Sequence, residues 1–409
     1  MGKNIFILIF GWLVTTGFVA ANPVEKTMFV DGFKRDYLVY TPSHPFSEKA
    51  GGIIVCLHGF GRSMNDFFGQ YNMTAIADSL NLIVVVPQAL PEQNQAVVQK
   101  ANTISLVSNN QISLNSVWGC GLRVRASLLM VELLDETLNK DVDDIHFIDL
   151  MIDEVLSDYS LPDKNIFMLG TSLGGFMTYQ YALRKGERLS GIISIAGSMG
   201  LSIKGMDYTT QIPVCDFHSM TDEVVPYSGS QDQFPFRISL AMPKTDVINY
   251  WVKTNSAGKP VTEQIQYYPS TNGITVEKIT YPEQKNEVIH YKINGNGASH
   301  GYFFKKEAGD CMDHIEEITR FIKSHISDYL ATIQDITIQK LAFYPNPVQD
   351  LIYVDTASGI VSIFDRAGRK IFTQSFTNGK VDLSSLNAGI YIIQIQSNHT
   401  IRVNTLIKR

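Results

Sequence analysis

The sequence predicts two folding units: an α/β unit with a doubly wound, mostly parallel sheet, and a small C-terminal β-sandwich. From about residue 25 to 330, short continuous apolar runs alternate with helix-length segments. Continuous apolar runs are typical of strands covered on both faces, as in a central parallel sheet. Near residue 345 the pattern changes to short alternating strands separated by turn residues, which is typical of a β-sandwich.

The elements of both units follow from these patterns. In the first unit, the predicted strands are Gly52–Leu57, Leu82–Val86, Asn165–Leu169, Ile192–Ile195, Val214–His218 and Val288–Ile293. The predicted helices are Thr74–Leu80, Asp144–Tyr159, Gly175–Lys185, Thr245–Thr254 and Asp313–Leu330. In the second unit, the predicted strands are Leu351–Val354, Val361–Asp365, Lys370–Ser375, Ile390–Ile395 and Ile401–Ile407.

The segment Pro91–Val117 departs from this alternation. It is rich in Gln, Asn and Ser, has no clear period, and follows a predicted strand. Ligand sites of α/β sheets lie at the edge where such strands end. The segment is therefore either a loop that covers a site or a long surface excursion, and the sequence leaves both interpretations open.

Composition and charge limit the class of protein. Hydrophobic residues make up 44% and charged residues 18% of the 409 residues, which indicates a globular rather than a disordered or fibrous chain. The net charge of −6 shows no basic excess, so we expect no nucleic-acid partner. The four cysteines are too widely spaced for a C-x-x-C zinc site; they could form up to two disulfides, with no preferred pairing.

The N-terminus has the pattern of a secretory signal peptide over residues 1–21. Lys3 supplies the positive charge, an apolar run follows from Ile5 to Ala20, and small residues end it. The run is shorter than the roughly 20 residues that a membrane span needs, so we expect no stable membrane span. The predicted domains are residues 22–330, a linker at 331–338, and residues 339–409.

Ser172 is the candidate nucleophile. It lies in the G-x-S-x-G motif of Gly170–Gly175, between a predicted strand and a predicted helix. A serine at so sharp a turn projects its Oγ above the sheet, and the glycines avoid collisions within the turn. The helix N-terminus supplies N–H groups for an oxyanion, so we assign the Leu173 N–H as one donor. The alternative is a glycine-rich structural turn.

A serine nucleophile needs a base and an acid that orients the base, and in this fold the chain order is Ser, acid, His. Asp222 follows the strand Val214–His218 and is the predicted acid, whereas Asp216 lies inside that strand and is the weaker candidate. Among the downstream histidines, His300 alone lies in a loop after the last predicted strand. His300 is therefore the predicted base.

The loop Leu57–Arg62, with the sequence LHGFGR, is expected to supply the second oxyanion donor. A His-Gly pair allows the backbone to approach a substrate oxygen closely. We assign the Phe60 N–H as this donor, with Gly61 as the alternative. Because His58 precedes the nucleophile in the chain, we expect it to brace the loop rather than transfer protons.

With these residues placed, residues 25–330 resemble the secreted polyhydroxybutyrate-depolymerase-like esterases, a group of the α/β-hydrolase fold that includes feruloyl and acetylxylan esterases. The resemblance is carried by Arg35–Pro42, the LHG of the oxyanion loop, GTSLGG, and the N-G-x-G-x-x-H loop that ends at His300. Trp118 and Tyr302 occupy positions that line the substrate pocket in the family, although neither segment follows the usual family pattern. The resemblance implies that both contact substrate.

The tail resembles the C-terminal sorting domain of type IX secretion cargo. The matching residues are Tyr344–Pro347 (YPNP), Ala388–Tyr391 (AGIY) and the closing Ile407–Arg409 (IKR). The resemblance implies export by the secretion machinery, so that the protein is secreted or held at the cell surface. A carbohydrate-binding β-module is the alternative.

The expected function is a secreted serine esterase that works through an acyl-enzyme and requires no metal or other cofactor. Its expected substrate is an ester, either feruloyl or acetyl groups on plant polysaccharide or a polyhydroxyalkanoate-type polyester. The two alternatives are a serine peptidase of the same fold and a non-catalytic surface adhesin built on a hydrolase scaffold.

Overall fold

The computed structural model describes residues 22–42, 51–108, 113–128, 131–201, 209–230, 241–326, 337–340, 342–354, 356–365, 370–397 and 400–409. The predicted signal peptide and most of the predicted linker, residues 331–336, lie outside these ranges. The chain forms two compact units, Met1–His325 and Ile326–Arg409. Within the described ranges, no helix combines the length and apolarity that crossing a bilayer requires.

A ten-stranded sheet is the frame of the first unit. The strands of this unit are β1 Val24–Val30, β2 Phe33–Tyr40, β3 Gly52–Leu57, β4 Leu82–Pro87, β5 Arg123–Leu128, β6 Val131–Thr137, β7 Ile166–Thr171, β8 Gly191–Ile195, β9 Val214–Ser219, β10 Val261–Ile265, β11 Thr275–Tyr281 and β12 Val288–Asn294. The sheet order is β1-β2-β4-β3-β7-β8-β9-β12-β11-β10, and β5 pairs with β6 as a separate hairpin.

The middle of this sheet is parallel and its two edges are antiparallel. Strands β4, β3, β7, β8, β9 and β12 run parallel to one another. The antiparallel hairpins β1–β2 and β10–β11 close the two edges. The predicted doubly wound, mostly parallel sheet is therefore confirmed.

Seven α-helices connect and flank the strands. They are α1 Met64–Gln70, α2 Met73–Leu80, α3 Gln95–Ser108, α4 Asp144–Asp158, α5 Leu173–Lys185, α6 Lys244–Thr254 and α7 His314–His325 among the described residues. Helix α1 begins with a capping box, in which the Ser63 Oγ accepts from the Asp66 N–H and the Asp66 carboxylate accepts from the Ser63 N–H, both at 3.1 Å. Such a cap satisfies two N–H groups that have no partner within the helix.

The central strands are buried on both faces, which explains their continuous apolar sequences. Every residue of β3, β4, β7 and β9 is buried. The core on either side includes Val55, Met168 and Ile192, all with no exposed surface. Burying a side chain of this kind contributes about 1.5–3 kcal/mol to folding. This core therefore keeps the carboxyl ends of β3, β7 and β9 rigid at one edge of the sheet.

The segment Pro91–Val117 contains an element that the sequence analysis did not predict, because α3 occupies its middle. Only Val97 and Ala101 of this helix are buried core residues among those whose side chains are described. An apolar stripe this narrow gives little helical periodicity, which is why the sequence reads as irregular. Strand β10 was missed for a similar reason, since four of its five residues are exposed.

The four cysteines are free and buried in the structure. Burial raises the pKa of Cys120 to about 12, and burial likewise raises the pKa of Cys311. These thiols therefore behave as small apolar side chains of the core.

The second unit consists of two small sheets. Its strands are β13 Thr337–Lys340, β14 Phe343–Tyr344, β15 Leu351–Val354, β16 Ser358–Phe364, β17 Lys370–Thr377, β18 Lys380–Asp382, β19 Gly389–Ser397 and β20 Thr400–Lys408. The sheet orders are β13-β20-β19-β16-β17 and β14-β15-β18. Ile352 and Val381 of the smaller sheet share a core with Ile363 and Ile393 of the larger one, as in a sandwich.

We predict that Gly174→Ala strongly destabilises the first unit. A Cβ at Gly174 would lie 2.0 Å from the Leu57 carbonyl oxygen, which is backbone and cannot move aside. The expected loss in the free energy of unfolding is about 3 kcal/mol or more. Urea titration followed by the fluorescence of the buried Trp118 and Trp251 measures it.

Gly69→Ala is the matched control. Gly69 lies in α1, and a Cβ there would meet nothing within 4 Å. This substitution should raise the free energy of unfolding by about 0.5–1 kcal/mol, because alanine is the better helix former. Equal urea midpoints for the two variants would contradict the assignment of Gly174 to a close backbone contact.

Candidate active site

Ser172 occupies a strained turn between β7 and α5. Its backbone has φ 53° and ψ −120°, a conformation that residues other than glycine rarely adopt. The Ser172 N–H donates to the Ile195 carbonyl at 2.8 Å, which ties the turn to β8. A Cβ at Gly170 would lie 2.1 Å from the Gly174 carbonyl oxygen, so the turn can close only with glycine there. The serine side chain is thereby held at the end of the strand.

The structure brings the three predicted residues together. The His300 Nε2 lies 2.8 Å from the Ser172 Oγ, and the His300 Nδ1 lies 2.8 Å from the Asp222 Oδ2. His300 follows β12 in a loop where Gly295, Gly297 and Gly301 all have positive φ. With the Nδ1 proton directed at the carboxylate, the Nε2 is free to accept from the serine hydroxyl.

Asp222 is fixed on its other side by backbone donors. Its Oδ1 accepts from the N–H groups of Val224 and Val225 at 2.9 and 2.8 Å, and its side chain is fully buried. Burial alone would raise the pKa of Asp222, but the hydrogen bond and charge of His300 outweigh it and lower the pKa. The carboxylate is therefore ionised at neutral pH and can orient the imidazole.

A second imidazole, which the sequence analysis left without a role, faces the same carboxylate. His218 donates through Nε2 to the Val225 carbonyl at 2.8 Å, and the same atom lies 3.6 Å from the Asp222 Oδ2. Burial, with the nearby charge of Lys244, lowers the pKa of His218 to about 4, so the ring is neutral. Because Asp216 and His218 are two residues apart on β9, their side chains lie on the same face of the sheet. This spacing was the signal in the sequence that could have drawn attention to His218.

Asp216, the weaker candidate acid, is engaged elsewhere. Its carboxylate accepts from the Lys244 Nζ and the Tyr179 hydroxyl and bonds to the His290 Nδ1, each at 2.8 Å. Burial opposes its ionisation, but Lys244 and His290 outweigh burial and lower the pKa of Asp216. This buried cluster joins β9, α5, α6 and β12, and it supports the strand from which Asp222 projects.

The loop after β3 lies against the nucleophile. A Cβ at Gly59 would be 3.3 Å from the Ser172 Cβ, so the two backbones are nearly in contact. The His58 Nε2 accepts from the Ala89 N–H at 3.1 Å, which leaves its Nδ1 to donate to the Gly59 carbonyl at 2.9 Å. Burial lowers the pKa of His58 to about 4. His58 is thus a neutral brace for this loop.

Two backbone donors face the serine without a competing acceptor. The Gly61 N–H donates to the Ser116 carbonyl at 2.9 Å, so this alternative donor is occupied. Among the described residues, the Phe60 and Leu173 N–H groups have no hydrogen-bond acceptor. Both are therefore available to an oxyanion at Ser172.

The structure does not place Trp118 at the substrate cleft. Trp118 has no exposed surface, its indole N–H donates to the His58 carbonyl at 2.9 Å, and its ring packs on the His58 ring at 5.0 Å. Trp118 therefore supports the loop Leu57–Arg62 through its contacts with His58. Its position indicates a structural role and not the expected contact with substrate. The Tyr302 hydroxyl donates to the Asp310 carboxylate at 2.7 Å, within the loop that follows His300.

A cleft of about 290 Å³ opens beside the serine; we call it the Ser172 cleft. Ser172 and His300 line one side of it, together with the side chains of Phe60, Phe67, Tyr71 and Val224. These four apolar or aromatic side chains were not among the predicted substrate contacts, because they come from three separate loops and helices. The cleft suits an apolar or aromatic group attached to a reacting carbonyl.

The buried histidines predict a specific pH dependence of stability. Burial lowers the pKa of His58 and His218 to about 4 and that of His314 to about 3, against 6.5 for a free side chain. As the pH falls, these histidines therefore become protonated in the unfolded chain at a higher pH than in the folded protein. The free energy of unfolding should stay level above pH about 7 and fall between about 6.5 and 4, by about 1.4 kcal/mol per pH unit for each histidine.

Urea titrations at half-unit pH steps measure this slope. His314→Leu removes one of the three imidazoles and should reduce the slope by about a third, whatever its effect on stability at pH 7. Ser157→Ala, an exposed substitution that removes no titratable group, is the control and should keep the wild-type slope. A level curve between pH 7 and 5 would contradict the neutral state assigned to these rings.

Comparison with known proteins finds two family matches. Residues 130–250 match the phospholipase/carboxylesterase family, and residues 342–409 match the secretion system C-terminal sorting domain. The feruloyl esterase B of Talaromyces stipitatus is 26% identical over 174 residues, which are 42% of this chain and 38% of the relative's length.

Two solved structures are similar to parts of this chain at low sequence identity. An acetyl xylan esterase from Aspergillus awamori has a TM-score of 0.46 and 10% identity, covering 74% of this chain and 99% of its own. A ferulic acid esterase has a TM-score of 0.31 and 15% identity, covering 46% and 64%.

The family matches bear on both resemblances predicted from the sequence. The sorting-domain match confirms the predicted export to the cell surface or the extracellular space. The carboxylesterase match lies on the segment that contains Ser172. Residues 130–250 are therefore similar to carboxylesterases, and residues 342–409 are similar to secretion sorting domains.

Proposed function

We propose that this protein is a secreted serine esterase that hydrolyses carboxylic esters through an acyl-enzyme. The observation that carries the proposal is the continuous hydrogen-bonded chain from the Ser172 Oγ through His300 to the buried Asp222 carboxylate. The strained turn at Ser172 and the two unoccupied N–H groups beside it supply the remaining parts of such a site. The match to the phospholipase/carboxylesterase family supports the same reaction class.

The geometry suggests the following steps. The His300 Nε2 takes the hydroxyl proton of Ser172 as the Oγ attacks the ester carbonyl, and the Phe60 and Leu173 N–H groups hold the resulting oxyanion. The intermediate collapses, the alcohol leaves with the proton from His300, and the acyl group stays on Ser172. Water then gives its proton to His300 and attacks the acyl carbon, which releases the acid and restores the serine hydroxyl.

Asp222 acts through the imidazole. Its carboxylate keeps the proton of His300 on Nδ1 and stabilises the imidazolium that forms during each half of the reaction. The His218 Nε2, whose N–H donates to the Val225 carbonyl, lies 3.6 Å from the same carboxylate and packs behind it without contacting the substrate. Asp222 is the orienting residue, and His218 is a positioning residue behind it.

The substrate class that we favour is an acyl ester on plant polysaccharide, with an aromatic or acetyl acyl group. The aromatic wall of the Ser172 cleft fits a feruloyl group, and the curated relative is named a feruloyl esterase. Export through the sorting domain would bring the enzyme to extracellular polymers. A polyhydroxyalkanoate-type polyester is the second candidate substrate.

The peptidase and adhesin alternatives are less favoured. An adhesin on a degenerate scaffold would be free to lose a member of the Ser172, His300 and Asp222 set, yet all three are present and hydrogen-bonded. A peptidase of the same fold would cleave aminoacyl amides, and the family match is to carboxylesterases.

We predict that Ser172→Ala and His300→Ala each lower kcat/KM for p-nitrophenyl acetate by about four orders of magnitude, because each removes a participant in bond making. Asp222→Asn should cause a similar loss by admitting the wrong tautomer of His300. Release of p-nitrophenol measures all three variants. A fluorophosphonate probe should label the wild-type protein and leave Ser172→Ala unlabelled.

Ser157→Ala and His146→Ala are matched controls, since both residues are exposed on α4 and neither lines the Ser172 cleft. Both should keep wild-type turnover and labelling. Near-normal turnover in Ser172→Ala would overturn the proposed nucleophile, and hydrolysis of aminoacyl anilides in place of esters would favour the peptidase.

A further inference from the structure

A second cleft lies on the far side of the loop that follows β3; we call it the polar cleft. Its volume is about 380 Å³, and it shares the side chains of Arg62 and Asp66 with the Ser172 cleft. Phe60 lines the Ser172 cleft, whereas its neighbour Gly61 lines the polar cleft. The two clefts are therefore adjacent, and residues of this loop line both.

The polar cleft differs from the Ser172 cleft in chemistry. Most of its side-chain lining is charged or amide-bearing: Lys34, Asp36, Arg62, Asp66, Gln88 and Asn115. The two cations and two carboxylates cancel in net charge but offer both hydrogen-bond donors and acceptors. Such a lining fits a neutral molecule with many hydroxyl groups better than an anion, which two carboxylates would repel, or an apolar chain.

Several of these groups retain free hydrogen-bonding capacity. In the part of the chain that the structure describes, neither the Arg62 guanidinium nor the Asn115 amide makes a hydrogen bond, although the charge of Arg62 acts on the nearby Asp66 carboxylate. The Lys34 Nζ makes one hydrogen bond, to Asp36 at 3.0 Å, and so keeps two donors. Gln88 differs, because it is held by the Met64 N–H and the Ser116 hydroxyl.

The segment Pro91–Val117, whose purpose the sequence left open, helps to build this cleft. Pro91 at its beginning and Asn115 and Ser116 near its end line the polar cleft. The Ser116 carbonyl accepts from the Gly61 N–H at 2.9 Å, which fastens this wall to the oxyanion loop. A ligand in the polar cleft would therefore lie next to the reacting centre.

We propose that the polar cleft binds the alcohol half of the substrate, a sugar residue, while the acyl half lies in the Ser172 cleft. This inference rests on the proposed esterase function and narrows its substrate. A hydroxyalkanoate chain offers ester oxygens that accept hydrogen bonds but no donors along its length, so it would leave the carboxylates of the cleft without partners. The two clefts together select an ester of a sugar hydroxyl over a polyester.

Two ferulate esters with the same acyl group test the proposal: methyl ferulate and the ferulate ester of arabinose. The measured quantity is the ratio of kcat/KM for the arabinose ester to kcat/KM for the methyl ester. The double variant Lys34→Ala with Asn115→Ala should lower this ratio by about tenfold or more, because each lost hydrogen bond to a sugar hydroxyl costs a factor of about five. Lys259→Ala, an exposed lysine, is the matched control and should keep the wild-type ratio.

A binding measurement separates this inference from the proposed reaction. Ser172→Ala protein is titrated calorimetrically with each ester, with and without the Lys34→Ala and Asn115→Ala substitutions. The arabinose ester should bind more tightly than the methyl ester, and this difference should disappear in the combined variant. That result supports ligand binding in the polar cleft even if the wild-type protein hydrolyses neither ester and the proposed reaction fails. Turnover of both esters with a ratio that the double variant leaves unchanged overturns the polar cleft while the esterase function stands.

Discussion

The first turn of α5 lies directly against the end of β3, with no side chain between the two backbones. The contact is between Gly174 and the carbonyl groups of Leu57 and His58. Because the helix begins where the strand ends, the loop after β3 passes over the nucleophile turn. Ser172, the Leu173 N–H and the Phe60 N–H consequently share one small volume. The strained backbone of Ser172 persists because the sheet on both sides of it is fully buried and cannot relax.

Burial gives the histidines of this unit different properties. His300 is partly exposed and hydrogen-bonds at both ring nitrogens: its Nδ1 is held by the Asp222 carboxylate, and its Nε2 is placed to exchange a proton with the Ser172 hydroxyl. His58 and His218 are fully buried and donate to backbone carbonyls, so each stays neutral and acts as a fixed donor. The same side chain thus serves as a proton carrier at the cleft and as a structural brace behind it.

The two sides of the oxyanion loop carry different chemistry, and the chain that builds them is discontinuous. The Ser172 cleft takes its apolar wall from α1 and from the loops after β3 and β9. The polar cleft takes its wall from β2, from the residues after β4, and from both ends of the segment around α3. These two clefts suit an ester whose acyl and alcohol halves differ in polarity. Each half then meets protein groups that replace its contacts with water.

The local sequence was enough to identify the frame and the reacting groups. Mostly apolar runs locate β3, β4, β7 and β9, because a strand buried on both faces carries polar side chains only where they find partners, as Asp216 and His218 do on β9. The G-x-S-x-G motif locates Ser172 because only glycine fits the close contacts of that turn. Chain order and loop position select Asp222 and His300, because carboxyl ends of parallel strands meet at one edge. The edge strand β10 and helix α3 were missed, since their exposed faces leave little periodic signal.

Only the tertiary structure decided which side chains surround the reacting centre. The family resemblance places Trp118 at the substrate pocket, yet packing against His58 buries it, whereas Phe67 and Tyr71 line the cleft without belonging to any motif. His218 faces Asp222 because a turn after β9 brings the carboxylate back over the strand. A sequence motif arises where a residue and its neighbours along the chain must satisfy the same local geometry. The walls of a cleft are set by long-range packing, where any side chain of suitable size and polarity satisfies the contact and leaves no pattern to read.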